Sequence, residues 1–169
     1  KDMDGISPVN MAHVYAGLPG GYAPCTAEAV MKMLHYSGVE ISGKRAVVVG
    51  RSLVIGKPLA MLLMKENATV TVCHTKTKQL EEVCQNAEIL IAAAGQPKMI
   101  NRRFVGQGAV VIDVGIHVME DGNLCGDVDL ESISSAASLA TPVPGGVGAV
   151  TTSVLAEHVL LAARKKQGI

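Results

Sequence analysis

The segment Gly50-Arg51-Ser52-Leu53-Val54-Ile55-Gly56-Lys57-Pro58 follows an apolar run at 46–49 and precedes a helical pattern. A bound phosphate needs close backbone approach, unpaired amide donors and the positive end of a helix. Gly50 and Gly56 permit the first, and the helix start offers the others. The spacing departs from G-x-G-x-x-G, because Ser52 replaces the middle glycine and the last glycine comes one residue late. Taken alone, the segment fits equally well a strand–glycine–helix turn that holds no nucleotide. The next strand pattern ends Val72-Cys73-His74-Thr75-Lys76-Thr77-Lys78. It lacks the carboxylate that sites for an unphosphorylated ribose place about 20 residues on. Arg51, His74, Thr75, Lys76 and Lys78 would instead surround a 2′-phosphate with charge and hydroxyl donors, which favours NADP over NAD. Lys76 and Lys78, taken singly, fit a solvated basic loop as well. A second cluster, Thr141-Pro142-Val143-Pro144-Gly145-Gly146-Val147-Gly148, precedes the last helical pattern. Its prolines stiffen the approach, and its glycines let a flat ligand lie against backbone. A rigid turn without a ligand is the alternative, and the position at the carboxyl end of a strand favours the ligand.

Composition limits the remaining classes. The 169 residues are 49% hydrophobic, 18% charged and 2% aromatic, with 15 Lys+Arg against 15 Asp+Glu. A chain of this length makes one ordinary domain with a sizeable core. The zero balance and scarce aromatics leave neither a broad basic surface to track phosphates nor rings on which bases stack, so no nucleic-acid partner is expected. The uninterrupted apolar runs 59–64 and 89–94 fall far short of the roughly 18 residues that span a bilayer, so no membrane partner is expected. Cys25, Cys73, Cys84 and Cys125 are scattered without metal-ligand spacing and read as reduced thiols, with no metal site. The start Lys1-Asp2-Met3-Asp4-Gly5 has neither an initiator Met nor a signal-peptide pattern, and reads as cut from a longer chain.

The elements that must position these motifs alternate. Helical periodicity marks 26–37, with Thr26 as N-cap, after a glycine-broken connector at 1–21 that holds a short helix at 9–16. Strands follow at 46–49, 69–73, 89–92 and 109–113, with helices at 55–64 and 78–85 between them. Glu120-Asp121-Gly122 predicts a small hairpin, 129–137 a short helix, 139–141 a last strand and 151–166 a long helix. Val154, Leu155, His158, Leu161 and Ala162 are expected on that helix's inner face. The fold class is therefore α/β, a Rossmann-like, doubly wound, mainly parallel sheet with a small β-hairpin excursion. Residues 1–37 are assigned to an interdomain hinge and helix, and 38–169 to the dinucleotide-binding domain.

The two glycine motifs have further company: Cys73-His74-Thr75-Lys76-Thr77, Ala93-Ala94-Gly95-Gln96-Pro97, Val111-Ile112-Asp113-Val114-Gly115-Ile116 and Gly126-Asp127-Val128. In this order, with Lys1-Asp2-Met3-Asp4-Gly5 and Pro24-Cys25-Thr26 ahead of them, they resemble the motifs of the methylenetetrahydrofolate dehydrogenase/cyclohydrolase family. The resemblance covers nearly the whole chain, but only the back part of the family's. It implies NADP-dependent oxidation of 5,10-methylenetetrahydrofolate to the methenyl form, and hydrolysis to 10-formyltetrahydrofolate in the full-length parent. On the cofactor side it implies Gly50, Arg51 and Ser52 at the phosphates, Thr75 at the 2′-phosphate, Gly95 nearby and Ile116 at the nicotinamide. On the folate side it implies Asp4 at the pterin, and Pro144, Gly145, Gly146, Val147 and Gly148 where folate and nicotinamide meet. A homodimer and a cytoplasmic location, with a mitochondrial one as the other option, also follow from the resemblance.

Two departures stand out. Ala149-Val150-Thr151 follows Gly148 where the family continues Pro-Met-Thr, and no tyrosine here is followed by Lys four residues later, as in the family's catalytic Tyr-x-x-x-Lys. No catalytic residue is therefore assigned within this chain, and the isolated segment is expected to be inactive. A non-catalytic dinucleotide-binding or dimerisation module is the competing reading. A methyltransferase-like nucleotide domain would require an acidic residue where His74-Thr75 stands.

Overall fold

Aliphatic runs too short for helices make the centre of the fold, seen in a computed structural model that describes residues 2–168. Strands β1 (Arg45–Val49), β3 (Ile89–Ala92) and β4 (Val110–Asp113) lie side by side and are buried almost throughout. Such strands read as continuous apolar runs because helices cover both faces of the sheet. Strand β2 (Thr69–Cys73) borders β1 at one edge, and β7 (Leu139–Ala140) borders β4 at the other. All pairings are parallel, in the order β2-β1-β3-β4-β7. The chain leaves β1 in one direction to β2 and returns past it to β3. A crevice for ligands opens at such a reversal, beyond the carboxyl ends of the strands.

Alternate strand residues feed two cores. Ala46, Val48, Ile89, Ile91 and Ile112 pack against α2 (Cys25–Tyr36), α3 (Gly56–Lys65) and α6 (Val147–Gln167). Val47, Val49, Leu90 and Val111 face the other way, towards Cys84 on α4 (Leu80–Gln85), Phe104 in a 3-10 turn at Arg102–Phe104, and Ile133 on α5 (Leu130–Ile133). Helix α1 (Pro8–Ala16) buries no residue and lies beside α3. The predicted hairpin is present, with β5 (His117–Val118) antiparallel to β6 (Leu124–Cys125).

Three expectations change. Helix α2 starts at Cys25, directly after Pro24, so the Glu28 N–H bonds the Pro24 carbonyl at 3.0 Å; Thr26 lies inside the first turn and is not the N-cap. Helix α6 starts four residues early, at Val147, because that buried side chain anchors a first turn in which Gly148 is tolerated. Its inner face is Val147, Val154 and His158, while Leu155 and Leu161 are 40% and 45% exposed. Counting uninterrupted apolar runs also missed that α6, 21 residues long with a mean hydropathy of 1.2 in its best window, meets the length and composition of a bilayer-crossing helix. In the fold, Glu157 on this helix pairs with Lys32 of α2 at 2.8 Å, and His158 pairs with Glu28 at 2.9 Å.

Candidate functional site

The chain leaves β1 through Gly50, whose φ of 130° and close approach to the Ala93 carbonyl exclude any side chain. Gly56 is fixed likewise, since a Cβ there would strike the Gly50 carbonyl. Between them the loop folds back on Ser52. Its Oγ accepts from the Ile55 and Gly56 N–H groups at 3.0 and 3.4 Å, and its carbonyl accepts from Lys57. The first donors of α3 are thus already taken, contrary to the expectation that the helix start would offer them. The donors still open are one step earlier. Among the described residues the amides of Arg51, Ser52, Leu53 and Val54 have no hydrogen-bond partner.

Across a cleft of about 280 Å³ stands the end of β2. There His74 makes a tight turn: its N–H donates to Thr77 Oγ1 at 2.9 Å, and its Nδ1 accepts from the Lys76 N–H at 3.1 Å. Gly50, Arg51, Ser52, His74 and Thr75 all line this cleft, and no carboxylate does. Lys76 and Lys78 are exposed and do not line it. One guanidinium, two hydroxyls and unpaired amides form a donor set that suits a phosphorylated ribose and pyrophosphate.

A second cleft, about 420 Å³, opens beyond β4. Ile116, 66% exposed, faces Pro144 to Gly148 across it, with Asp113 and Thr26 also on its wall. Gly145 has a φ of 97°, and Gly146 lies too close to the Pro142 carbonyl for a side chain. Gly148 meets no such obstacle. Asp4 lines neither cleft. It is exposed and stands beside the Cys25 thiol, one residue before Thr26.

Sequence reasoning missed the residues that shape the wall joining the two clefts. Asp127, fully buried, accepts from the Ala94, Gly95 and Gln96 N–H groups at 2.6, 3.0 and 2.9 Å and from His117 Nε2 at 2.7 Å. The amide of Gly95 is therefore turned inward, and Gly95, expected at the cofactor, lines neither cleft, whereas its neighbours Ala94 and Gln96 line the first. Asp113 accepts from Gly115, Asp127 and Val128. Burial pushes its carboxyl above the usual range, outweighing those hydrogen bonds, and the neighbouring Asp127 adds to the rise. Gly115 and Gly126 press against these carboxylates where a Cβ would not fit. At the N-terminus Asp2 accepts from Ile6, Ser7 and Asn10. Partial burial opposes the charge, yet these bonds hold the carboxyl well below its ordinary range. A carboxylate buried in a turn leaves no sequence signal beyond an Asp beside a Gly.

Comparison with known proteins gives a consistent result. A family model described as "Tetrahydrofolate dehydrogenase/cyclohydrolase, NAD(P)-binding domain" matches residues 24–167. The bifunctional protein FolD of Clostridium kluyveri is 51% identical over 166 residues, which are 98% of this chain and 58% of that protein. The crystal structure of the bifunctional FolD dehydrogenase/cyclohydrolase from Campylobacter jejuni superposes with a TM-score of 0.96 at 42% identity, covering 98% of this chain and 59% of that one. The Trypanosoma brucei enzyme, complexed with NADP cofactor and an inhibitor, gives 0.88 at 42% identity over 95% of this chain and 57% of its own. The chain thus spans somewhat under three fifths of the length of these relatives.

Proposed function

Because this chain belongs to the NAD(P)-binding part of the tetrahydrofolate dehydrogenase/cyclohydrolase family, we propose that it holds NADP in a protein that oxidises 5,10-methylenetetrahydrofolate to the methenyl form and hydrolyses that product to 10-formyltetrahydrofolate. The observation that carries the reading is the cleft where Arg51, Ser52, His74 and Thr75 converge with no carboxylate among them. Arg51 and the open amides of residues 51–54 bind pyrophosphate and the 2′-phosphate, with Thr75 donating from the far side. Gly50 keeps the cleft wall bare of side chains, Gly95 shapes the loop that brings Ala94 and Gln96 to the cofactor, and Ile116 with Pro144 to Gly148 forms the flat apolar wall for the nicotinamide and the folate ring. Asp4 accepts paired hydrogen bonds from a ring N–H and the 2-amino group of the pterin.

NADP, when bound, supplies the hydride acceptor. The chain's residues align the methylene carbon of the folate with it and exclude water, while the folate's own N5 and N10 stabilise the cation left behind. Proton handling for hydrolysis needs a group of lowered pKa, which we assign to the portion of the relatives that this chain does not span. Residues 1–37 supply the interdomain connector and helix beside the dinucleotide-binding domain 38–169, with 1–21 as hinge and far wall and α2 packed into the core. Two copies pair through this domain, and the protein works in the cytoplasm.

The test is turnover by the protein as its gene encodes it. NADP should be reduced with methylenetetrahydrofolate, and NAD should serve much less well. No reduction of either cofactor would reject the activity; equal use of both would reject the 2′-phosphate site.

A further inference from the structure

Among the described residues His158 is the only buried imidazole, 1% exposed, and no step above uses it. It projects from α6 into the seam with α2 and the N-terminal loop. Its Nε2 lies 2.9 Å from Glu28 Oε2, and its Nδ1 lies 2.7 Å from the Met3 carbonyl. The two ring nitrogens thus bridge an element of the core to the N-terminal loop, with the Cys25 thiol a further 3.7 Å neighbour of Nδ1. The Tyr22 ring centroid is 4.9 Å away, and Lys32 sits 3.6 Å from the other oxygen of Glu28 and 2.8 Å from Glu157.

The bond to Met3 matters because Asp4 is the next residue. The same carbonyl accepts from the Cys25 thiol at 3.6 Å, and Gly5 is seated against the backbone of Tyr22 and Ala23. On the other side Asp2 clasps Ser7 and Asn10. Asp4 is therefore displayed on a short arch with both feet fixed, and one foot is held by His158.

We propose that His158 is a positioning residue for Asp4: bridging Glu28 to the Met3 carbonyl, it holds the peptide before Asp4 so that the carboxylate meets the pterin already oriented. This rests on the folate reading above. Orienting the acceptor in advance removes an ordering cost from substrate binding and leaves hydride transfer untouched.

Three variants of the protein as its gene encodes it separate the bonds. His158→Asn places an N–H where Nδ1 was and keeps the bond to Met3; His158→Gln reaches towards Glu28 instead; His158→Leu makes neither. The Gln and Leu variants should raise the KM for methylenetetrahydrofolate roughly tenfold, with kcat and the KM for NADP changed less than about twofold, and Asn should recover most of the loss. In NMR spectra the Asp4 and Gly5 amide signals should shift in the Gln variant but not in the Asn variant. Leu sets an apolar side chain against Glu28 Oε2 and the Met3 carbonyl and invites misfolding, so the Asn and Gln pair carries the comparison. Equal folate KM in Asn, Gln and unsubstituted protein would overturn the assignment of His158, as would loss in Asn with retention in Gln. Failure of the unsubstituted protein to oxidise the folate at all would instead remove the folate reading, and this positioning role with it.

Discussion

Asp127 gathers four hydrogen bonds on one buried carboxylate, three of them from consecutive amides of residues 94–96. Asp127→Ala should therefore cost about 3 kcal/mol in urea unfolding, because three inward-turned, partly buried N–H groups and His117 lose their acceptor. The same loss should loosen the wall beside Gly95 and weaken NADP binding. Arg51 acts on the ligand directly. Arg51→Ala should raise the Kd for NADP about 10- to 100-fold and that for NAD less, since Arg51 reaches both the pyrophosphate and the 2′-phosphate and only NADP carries the latter. The thiols give a pH signature. Burial pushes Cys84 up to about 12 from an ordinary 9.0. The native thiol then keeps its proton at a pH where the unfolded one releases it, so this contribution to stability is full below about pH 9 and is lost as pH rises towards 12. Denaturant midpoints should fall over that range, and Cys84→Ala should flatten the slope. Arg51 and Thr75 were legible as neighbours in one cleft because chemistry and position coincide at two strand ends. Asp127 and Asp2 were not, since their partners are backbone amides brought in by folding.

At the scale of elements, period and punctuation carried most of the fold. The strands at 69–73 and 89–92 fall where alternation and an apolar run put them: β3 is buried on both faces, whereas β2 is an edge strand that buries Cys73 and half-buries Val70. The ends were less legible. Thr26 has the chemistry of a cap, yet Pro24 already turns the chain into the helix; Gly148 has the chemistry of a breaker, yet Val147 is anchored in the core. Ser52 is the reverse case, a residue read as ligand-binding that also closes the start of α3. Ser52→Ala should cost about 1 kcal/mol of stability, the usual worth of a cap, in addition to any loss of cofactor affinity. Leu34 is fully buried on α2 within the core shared with α3 and α6. Leu34→Ala should lower stability by about 3 kcal/mol through the cavity it leaves, read from the shift in urea midpoint.

For the whole molecule, the sheet does two things at once. Its reversal beside β1 opens the crevice, and its parallel strands deliver Gly50, His74 and the 94–96 loop to the same edge. Overall length and composition excluded more than they identified; the ordered motifs at the strand ends brought the family into view, and family membership stands on the matched residues 24–167. Helix α6 leaves apolar side chains exposed on its outer face, with Leu160 at 64% and Val159 at 51%. The central claim is that this chain by itself recognises the 2′-phosphate of NADP. Calorimetric titration of NADP and then NAD into the purified 169 residues tests it most directly. Saturable one-site binding of NADP is expected, at least about tenfold tighter than NAD, with that preference reduced in Arg51→Ala. No heat with millimolar NADP, or equal affinity for the two dinucleotides, would contradict it.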